Sequence, residues 1–246
     1  MGIGDIQLST YLRHIILASV FIGTPAYAVT LDAVTSGEKG NSGTTLTVSH
    51  TVTASGGNRA IYLGCGLRNR TITATATYAG QAMTEVAGVA DASTNIRTYL
   101  FRKTAPVTGT NDWVATQSSG TAMACIARSL LDVDQATPET DTDNVTCGTG
   151  TQTLTLTTAA NELLLDVFAL ALTSSATPGA DQTEEADLVT SENTLTVSMS
   201  RQDGADGGVM SYAPDAAGVS CYSAASVKHS AFTGSVIRQR GPYVVQ

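Results

Sequence analysis

From residue 29 onward the chain keeps a period of two. Leu46, Val48, His50 and Val52 alternate with Thr45, Thr47, Ser49, Thr51 and Thr53. Ile72, Ala74, Ala76 and Tyr78 alternate with Thr71, Thr73, Thr75 and Thr77, and Leu154 and Leu156 with Thr153, Thr155 and Thr157. Successive side chains of a strand point to opposite faces, so each stretch predicts one row on a core and one row of Thr toward solvent. Thr suits the outward row because its branched Cβ fits a pleated surface while its hydroxyl stays wet. Two apolar runs, Ala60 to Leu63 and Leu163 to Leu172, interrupt the alternation and predict central strands covered on both faces. The second run is long enough for a helix, but turn signals and strands flank it, so a strand is expected.

Turn residues recur at short intervals: Gly56-Gly57-Asn58, Ala79-Gly80, Pro106 to Asn111, Ser118-Ser119-Gly120, Pro178-Gly179 and Asp203 to Gly208. That spacing belongs to a sandwich or barrel, and no Pro/Ser-rich linker divides the chain, so one domain over residues 29–246 is expected. The halves also echo each other. Thr45 to Val48 matches Thr153 to Leu156, and Asn58 to Leu63 matches Asn161 to Asp166. Gly80 to Thr84 loosely matches Ala180 to Thr183, Ile96 to Phe101 matches Thr194 to Met199, and Gly120 to Cys125 matches Gly218 to Ser223. One half alone exposes an apolar sheet face that stacking two halves buries. The expected fold is all-β: a two-sheet antiparallel β-sandwich, specifically a jelly roll, built from two similar halves behind a short N-terminal helix.

Rows of Thr account for an unusual composition. Only 14% of the 246 residues are charged while 42% are hydrophobic, against about a quarter charged in an ordinary globular chain. The apolar content excludes extended disorder. With 13 Lys+Arg against 21 Asp+Glu and a net charge of −8, no positive excess exists to neutralise phosphates, so nucleic acid is not an expected partner.

Residues 1–28 admit two readings. Ile15 to Gly23 is an apolar run behind Arg13 and His14, followed by Thr24-Pro25-Ala26-Tyr27-Ala28. That is the layout of a secretory signal with Ala28 as the cleavage site, and the run is short for a membrane span. Alternatively, Leu8, Leu12, Ile15, Ile16 and Val20 fall at helical spacing between Ser9 as N-cap and Gly23 as stop, giving a retained docking helix. The stretch Leu8 to Arg13 running on to Val20 to Thr24 is similar to a segment that opens some tailed-phage virion proteins, where a short amphipathic helix leads into a β domain. The retained helix is favoured.

A second resemblance covers most of the β portion. Ser49-His50-Thr51, Gly57-Asn58-Arg59-Ala60, Tyr78 to Thr84 and Val133-Asp134-Gln135 occur in that order. The set resembles jelly-roll modules of secreted bacterial proteins and phage structural proteins. It implies a fold and a surface setting but no activity. Leu131-Asp132 departs from the small residue pair such modules carry.

Catalytic chemistry has few candidates. His14, His50 and His229 are the only histidines, and His50 sits on the apolar row of its strand, where a core histidine is expected rather than a general base. His229 stands beside Lys228 near the last strand. Gly40-Asn41-Ser42-Gly43 resembles a protease serine loop only loosely, and no G-x-S-x-G elbow occurs. Cys65, Cys125, Cys147 and Cys221 lack C-x-x-C spacing, which argues against zinc; in an oxidising compartment they allow two disulfides in any of three pairings. Cys65 and Cys125 also suit buried thiols, and Cys147 reads as a loop residue. Asp132, Asp134, Glu139, Asp141, Asp143 and Asn144 offer hard oxygens to calcium but not at EF-hand spacing, and a solvated acidic loop is expected. Asp203 to Gly208 reads as a turn. Trp113, the sole tryptophan, is either a rim platform for a sugar or a core plug. The sequons at Asn69 and Asn144 matter only in a glycosylating pathway.

No catalytic, cofactor-binding or metal-ligating residue is therefore nominated. The expected function is a non-enzymatic structural subunit on the outside of an assembly, a tailed-phage virion protein in capsid decoration, neck or tail fibre, located on the virion surface. Its partners would be copies of itself or other subunits, with no membrane span. The alternative is a secreted extracellular adhesive or carbohydrate-binding module whose partner is a cell-surface glycan.

Overall fold

The computed structural model describes residues 28–69, 71–92, 96–190 and 195–231. Residues 1–27, and with them the expected helix and His14, lie outside the described residues. From Thr30 onward the strands pair antiparallel with their neighbours. The first half contains β1 (Thr30–Lys39), β2 (Thr45–Val52), β3 (Ala60–Leu67), β4 (Ala74–Tyr78), β5 (Gln81–Ala82), β6 (Thr84–Ala90), β7 (Arg97–Thr104), β8 (Gly109–Gln117) and β9 (Met123–Leu131). The second contains β10 (Glu139–Thr149), β11 (Gln152–Thr155), β12 (Leu163–Leu170), β13 (Ala176–Pro178), β14 (Thr183–Val189), β15 (Thr196–Asp203), β16 (Val209–Pro214) and β17 (Val219–Val227).

The strand orders repeat. The first half forms an inner sheet β1-β9-β3-β7-β6 and an outer sheet β2-β8-β4-β5; the second forms β10-β17-β12-β15-β14 and β11-β16-β13. Each half is thus a sandwich of its own, with one core between β2/β4/β8 and the first inner sheet and another between β11/β13/β16 and the second. The duplication read from sequence is present, but the sharing of layers differs from expectation: two sandwiches lie back to back, and their five-stranded sheets enclose a third core. That burial on both faces is why β3 and β12, the predicted central strands, are buried at every residue.

Across the central core β3 packs on β12, β7 on β17, β6 on β10, β9 on β15 and β1 on β14. The halves are therefore related by a pseudo-twofold axis running along β3 and β12. Close approach at the axis requires glycine in β3. A Cβ on Gly64 would stand 2.8 Å from Val167 Cβ, and one on Gly66 2.4 Å from Val197 Cγ2 and 2.9 Å from Ala169 Cβ.

The alternating rows fall as expected. Leu46, His50 and Val52 are buried between exposed Thr45, Thr47, Ser49 and Thr51, and Ile72, Ala74, Ala76 and Tyr78 are buried while Thr75 is exposed. Two of the matches between halves are out by one residue. Ala60 pairs with Thr104 and Leu163 with Asp203, which sets Arg97 against Thr196 rather than against Leu195. Cys65 pairs with Cys125 and Phe168 with Tyr222, so Cys125 corresponds to Tyr222 rather than Ser223. A one-residue slip exchanges the two faces of a strand, and runs of Ser, Thr and Ala resist it weakly in sequence.

Among the described residues no helix is long and apolar enough to cross a membrane.

Candidate functional site

Chemistry-bearing side chains gather inside the molecule. In the first half β2 turns His50 inward, leaving it 1% exposed. Its Nδ1 lies 2.8 Å from Thr35 Oγ1 on β1, and Trp113 Nε1 donates to the same oxygen at 3.0 Å. Nε2 has no hydrogen-bond partner. Burial lowers the His50 pKa to about 4 against the opposing pull of Asp32, so the ring is neutral near pH 7. Asp32 is occupied elsewhere: its Oδ2 accepts from Ser129 Oγ at 2.8 Å and from the Thr53 amide at 3.0 Å. Serine, aspartate and histidine are thus neighbours without the serine–histidine bond that a nucleophilic relay needs.

In the second half the inward row of β12 carries a carboxylate. Asp166 is fully buried. Its Oδ1 accepts from the Ser200 amide at 2.6 Å, and its Oδ2 from Ser200 Oγ and Tyr222 Oη, both at 2.7 Å, and from Gln182 Nε2 at 3.1 Å. Burial raises its pKa to about 7, with the Ser200 and Tyr222 bonds pulling the other way. Gln182 in turn accepts from the amides of Gly179 and Ser211 through Oε1. The cluster ties β12, β14's leading turn, β15, β16 and β17 together and closes over itself.

Ion pairs bridge the two halves around the central core. Arg102 of β7 pairs with Glu139 of β10, which also accepts from Tyr62 Oη at 2.7 Å. Glu185 of β14 lies between Arg128 of β9 at 3.2 Å and Arg201 of β15 at 2.7 Å. Charges buried this deeply persist only when paired, so these contacts fix how the halves seat.

The remaining sequence candidates are dispersed. His229 forms an isolated bridge with Val133. The Gly40 to Gly43 turn lies at the opposite end of β2 from His50, and Asn41 Oδ1 accepts from the Ala122 amide. Trp113 is fully buried, and Tyr62, Tyr78, Tyr99, Phe101, Phe168, Tyr212 and Tyr222 are at most 2% exposed. Among the described residues, therefore, no aromatic platform faces solvent. The acidic loop needs correction: Glu139, Asp141, Asp143 and Asn144 lie on β10, an edge strand. Asp134 caps a turn by accepting from the Ala136 and Thr137 amides, and Asp141 accepts from the Thr157 amide. Among the described residues no group of three or more His, Cys, Asp or Glu is placed to hold a metal. Cys147 is also a β10 residue rather than a loop residue, and of the three pairings the structure has Cys65–Cys125 and Cys147–Cys221.

Sequence reasoning missed Asp166 and the ion pairs. Asp166 had a visible signal, as the single charge inside the Leu163 to Leu172 run. The Arg102–Glu139 and Arg128–Glu185 pairs had none, since their partners come from different halves. Two open depressions lie at the surface. One of about 360 Å³ is lined by Val86, Glu139, Thr140, Asp141 and Thr142, another of about 260 Å³ by Asn58, Asp134, Gln135, Ala136, Ser230 and Ala231. Neither holds a convergent set of titratable groups of the kind acid–base chemistry uses.

No family model matches the chain, and no characterised protein or solved structure is detectably similar to it.

Proposed function

We propose that the chain is a non-enzymatic structural subunit on the exterior of a larger assembly, a tailed-phage virion protein serving in capsid decoration, neck or tail fibre. The observation that carries this reading is the allocation of side chains. His50, Asp32, Ser129 and Asp166 are spent on buried bonds that hold strands in place, while Thr45, Thr47, Thr51, Thr75 and Thr116 form an outer face on the first half in which Asp112 is the one charge on β2, β4 and β8. Such a face is soluble with little charge and offers hydroxyls to neighbours. A jelly-roll topology belongs to this proposal, as does a surface location: two cross-strand disulfides suit life outside the cytosol, which virion surfaces share with secreted proteins.

The same disulfides favour one alternative, a secreted adhesive module matured by cleavage after Ala28. Its carbohydrate-binding form loses support because Trp113 is buried. Mass spectrometry of purified particles tests the leading reading: the chain should be present at many copies, and particles lacking it would overturn the assignment. N-terminal sequencing of the natural protein separates the two readings, with Met1 or Gly2 expected for the assembly protein and Val29 for the secreted one.

A further inference from the structure

Charge divides between the halves far more unevenly than the net value suggests. Residues 29–131 carry eight Lys+Arg and five Asp+Glu, a net +3, whereas residues 139–227 carry one Arg and thirteen Asp+Glu, a net −12. Strand register places part of these charges at opposite ends of the molecule, while Arg59, Arg102 and Lys103 lie at the start of β3, the other end from Lys39. Lys39, Met123, Leu67 and Arg97 align across the first inner sheet, and Arg68 follows Leu67, so Lys39, Arg68 and Arg97 share one end of the first half. In the second half Asp203 ends β15 opposite Leu163, Asp206 lies in the 3₁₀ turn after it, and Asp181 precedes β14 beside Arg201. Gly64 packs on Val167 and Gly66 on Ala169, so β3 and β12 run in the same direction. The Asp181, Asp203 and Asp206 end of the second half is therefore opposite the Lys39, Arg68 and Arg97 end of the first. All three aspartates are exposed, and Arg68 and Arg97 are half-exposed.

We propose that copies of this chain associate head to tail, the acidic end of one second half meeting the basic end of the next copy's first half. This deepens the structural reading above and rests on it for its biological setting, while the contact itself rests on charge complementarity. Because the two patches differ and lie at opposite ends, the contact is heterologous, and repetition with a half-turn about the pseudo-twofold axis gives an open row rather than a closed dimer. A contact made by exposed charges is steered and held electrostatically, so it weakens as salt shortens the screening length.

Sedimentation velocity of the full chain across ionic strength is the test. At about 20 mM salt, where the Debye length exceeds about 20 Å, species larger than the monomer are expected, with apparent association falling at least about tenfold by 0.3 M. The pair R68E/R97E and the triple D181K/D203K/D206K should each remain monomeric at low salt, with unchanged circular dichroism and melting temperature. Mixing the two should restore association, since each variant then presents the complement of the other. A monomer at every salt concentration, or association indifferent to both variants, would overturn the proposal. Particles that contain the chain without salt-sensitive self-association would sink this contact alone, and salt-sensitive rows of a chain absent from particles would sink only the virion reading.

Discussion

Where the first half joins β3 to β9 through Cys65 and Cys125, the second sets Phe168 against Tyr222, ring centroids 6.1 Å apart. Two positions earlier on the same strands, Leu63 of the first half gives way to Asp166. One topology therefore carries two kinds of core. The first is apolar, cross-linked and plugged by Trp113, with a neutral histidine at its margin. The second is aromatic and threaded by a hydrogen-bonded carboxylate, while the second half's disulfide, Cys147–Cys221, faces the central core and ties β17 to the edge strand β10. The repeated strand order survives because it depends on the rows of apolar residues and the turns, and the contents of each core can then vary.

The widest separation of the halves should come from their disulfides. Replacing Cys65 and Cys125 by Ala releases a loop with a sequence separation of 60 and should cost about 4 kcal/mol. Chemical denaturation followed by Trp113 fluorescence measures it, since that indole reports the first core; an unchanged midpoint would show that the packed apolar core needs no covalent link. Replacing Cys147 and Cys221, with a separation of 74, should cost a similar amount by chain entropy but perturb the second half first.

Acidity should drive the halves in opposite directions. Asp166 has its folded pKa raised to about 7, so its contribution is complete below the unfolded value near 4 and is lost as pH rises through 7, about 4 kcal/mol in all. His50 has its folded pKa lowered to about 4, so its contribution is complete above about 6.5 and is lost as pH falls through 4, about 3 kcal/mol. Hydrogen-exchange protection, corrected for intrinsic rates, should therefore strengthen in β11 and β16 and weaken in β2 and β8 between pH 7 and pH 4. Asp166→Asn should flatten the first trend and His50→Gln the second; parallel trends in the two outer sheets would show that the halves open as one unit.

The seam between the halves offers a smaller effect. Glu185→Gln removes the countercharge of Arg128 and Arg201 and should destabilise by about 3 kcal/mol, whereas Gly66→Ala, forced against Val197, should cost about 1–3 kcal/mol. Urea denaturation midpoints read both, and a neutral Gly66→Ala would mean that the central sheets separate freely. Smallest of all, Thr47→Ser on the outer face should change the melting temperature by an amount equivalent to less than about 0.5 kcal/mol.

Much of the architecture could be read from the chain. Thr alternation located β2, β4 and β11 and told which face is buried, because the period of a strand and the wetting of its faces are local properties. The apolar runs located β3 and β12 at the sheet centres for the same reason. Layer sharing was not legible: an apolar run says that both faces are covered, not by which sheet. The pairing of Cys147 was hidden by a mistaken loop, since the acidic, Thr-rich Glu139–Thr149 carries the polarity of an edge strand and its alternation is faint. Asp166 could have been flagged as a lone charge in an apolar run, but its donors, Ser200, Tyr222 and Gln182, come from three separate stretches that only the fold brings together.

The glycines of β3 have a consequence for symmetry itself. Two identical subunits meeting on a twofold axis must present the same residue to each other there: glycine facing glycine leaves a void, and valine facing valine a collision. Gly64 and Gly66 instead face Val167 and Ala169, a fit of hollow to ridge that no homodimer can make at its axis. Joining the halves in one chain released them from having to match themselves, and the seam took its shape from that freedom.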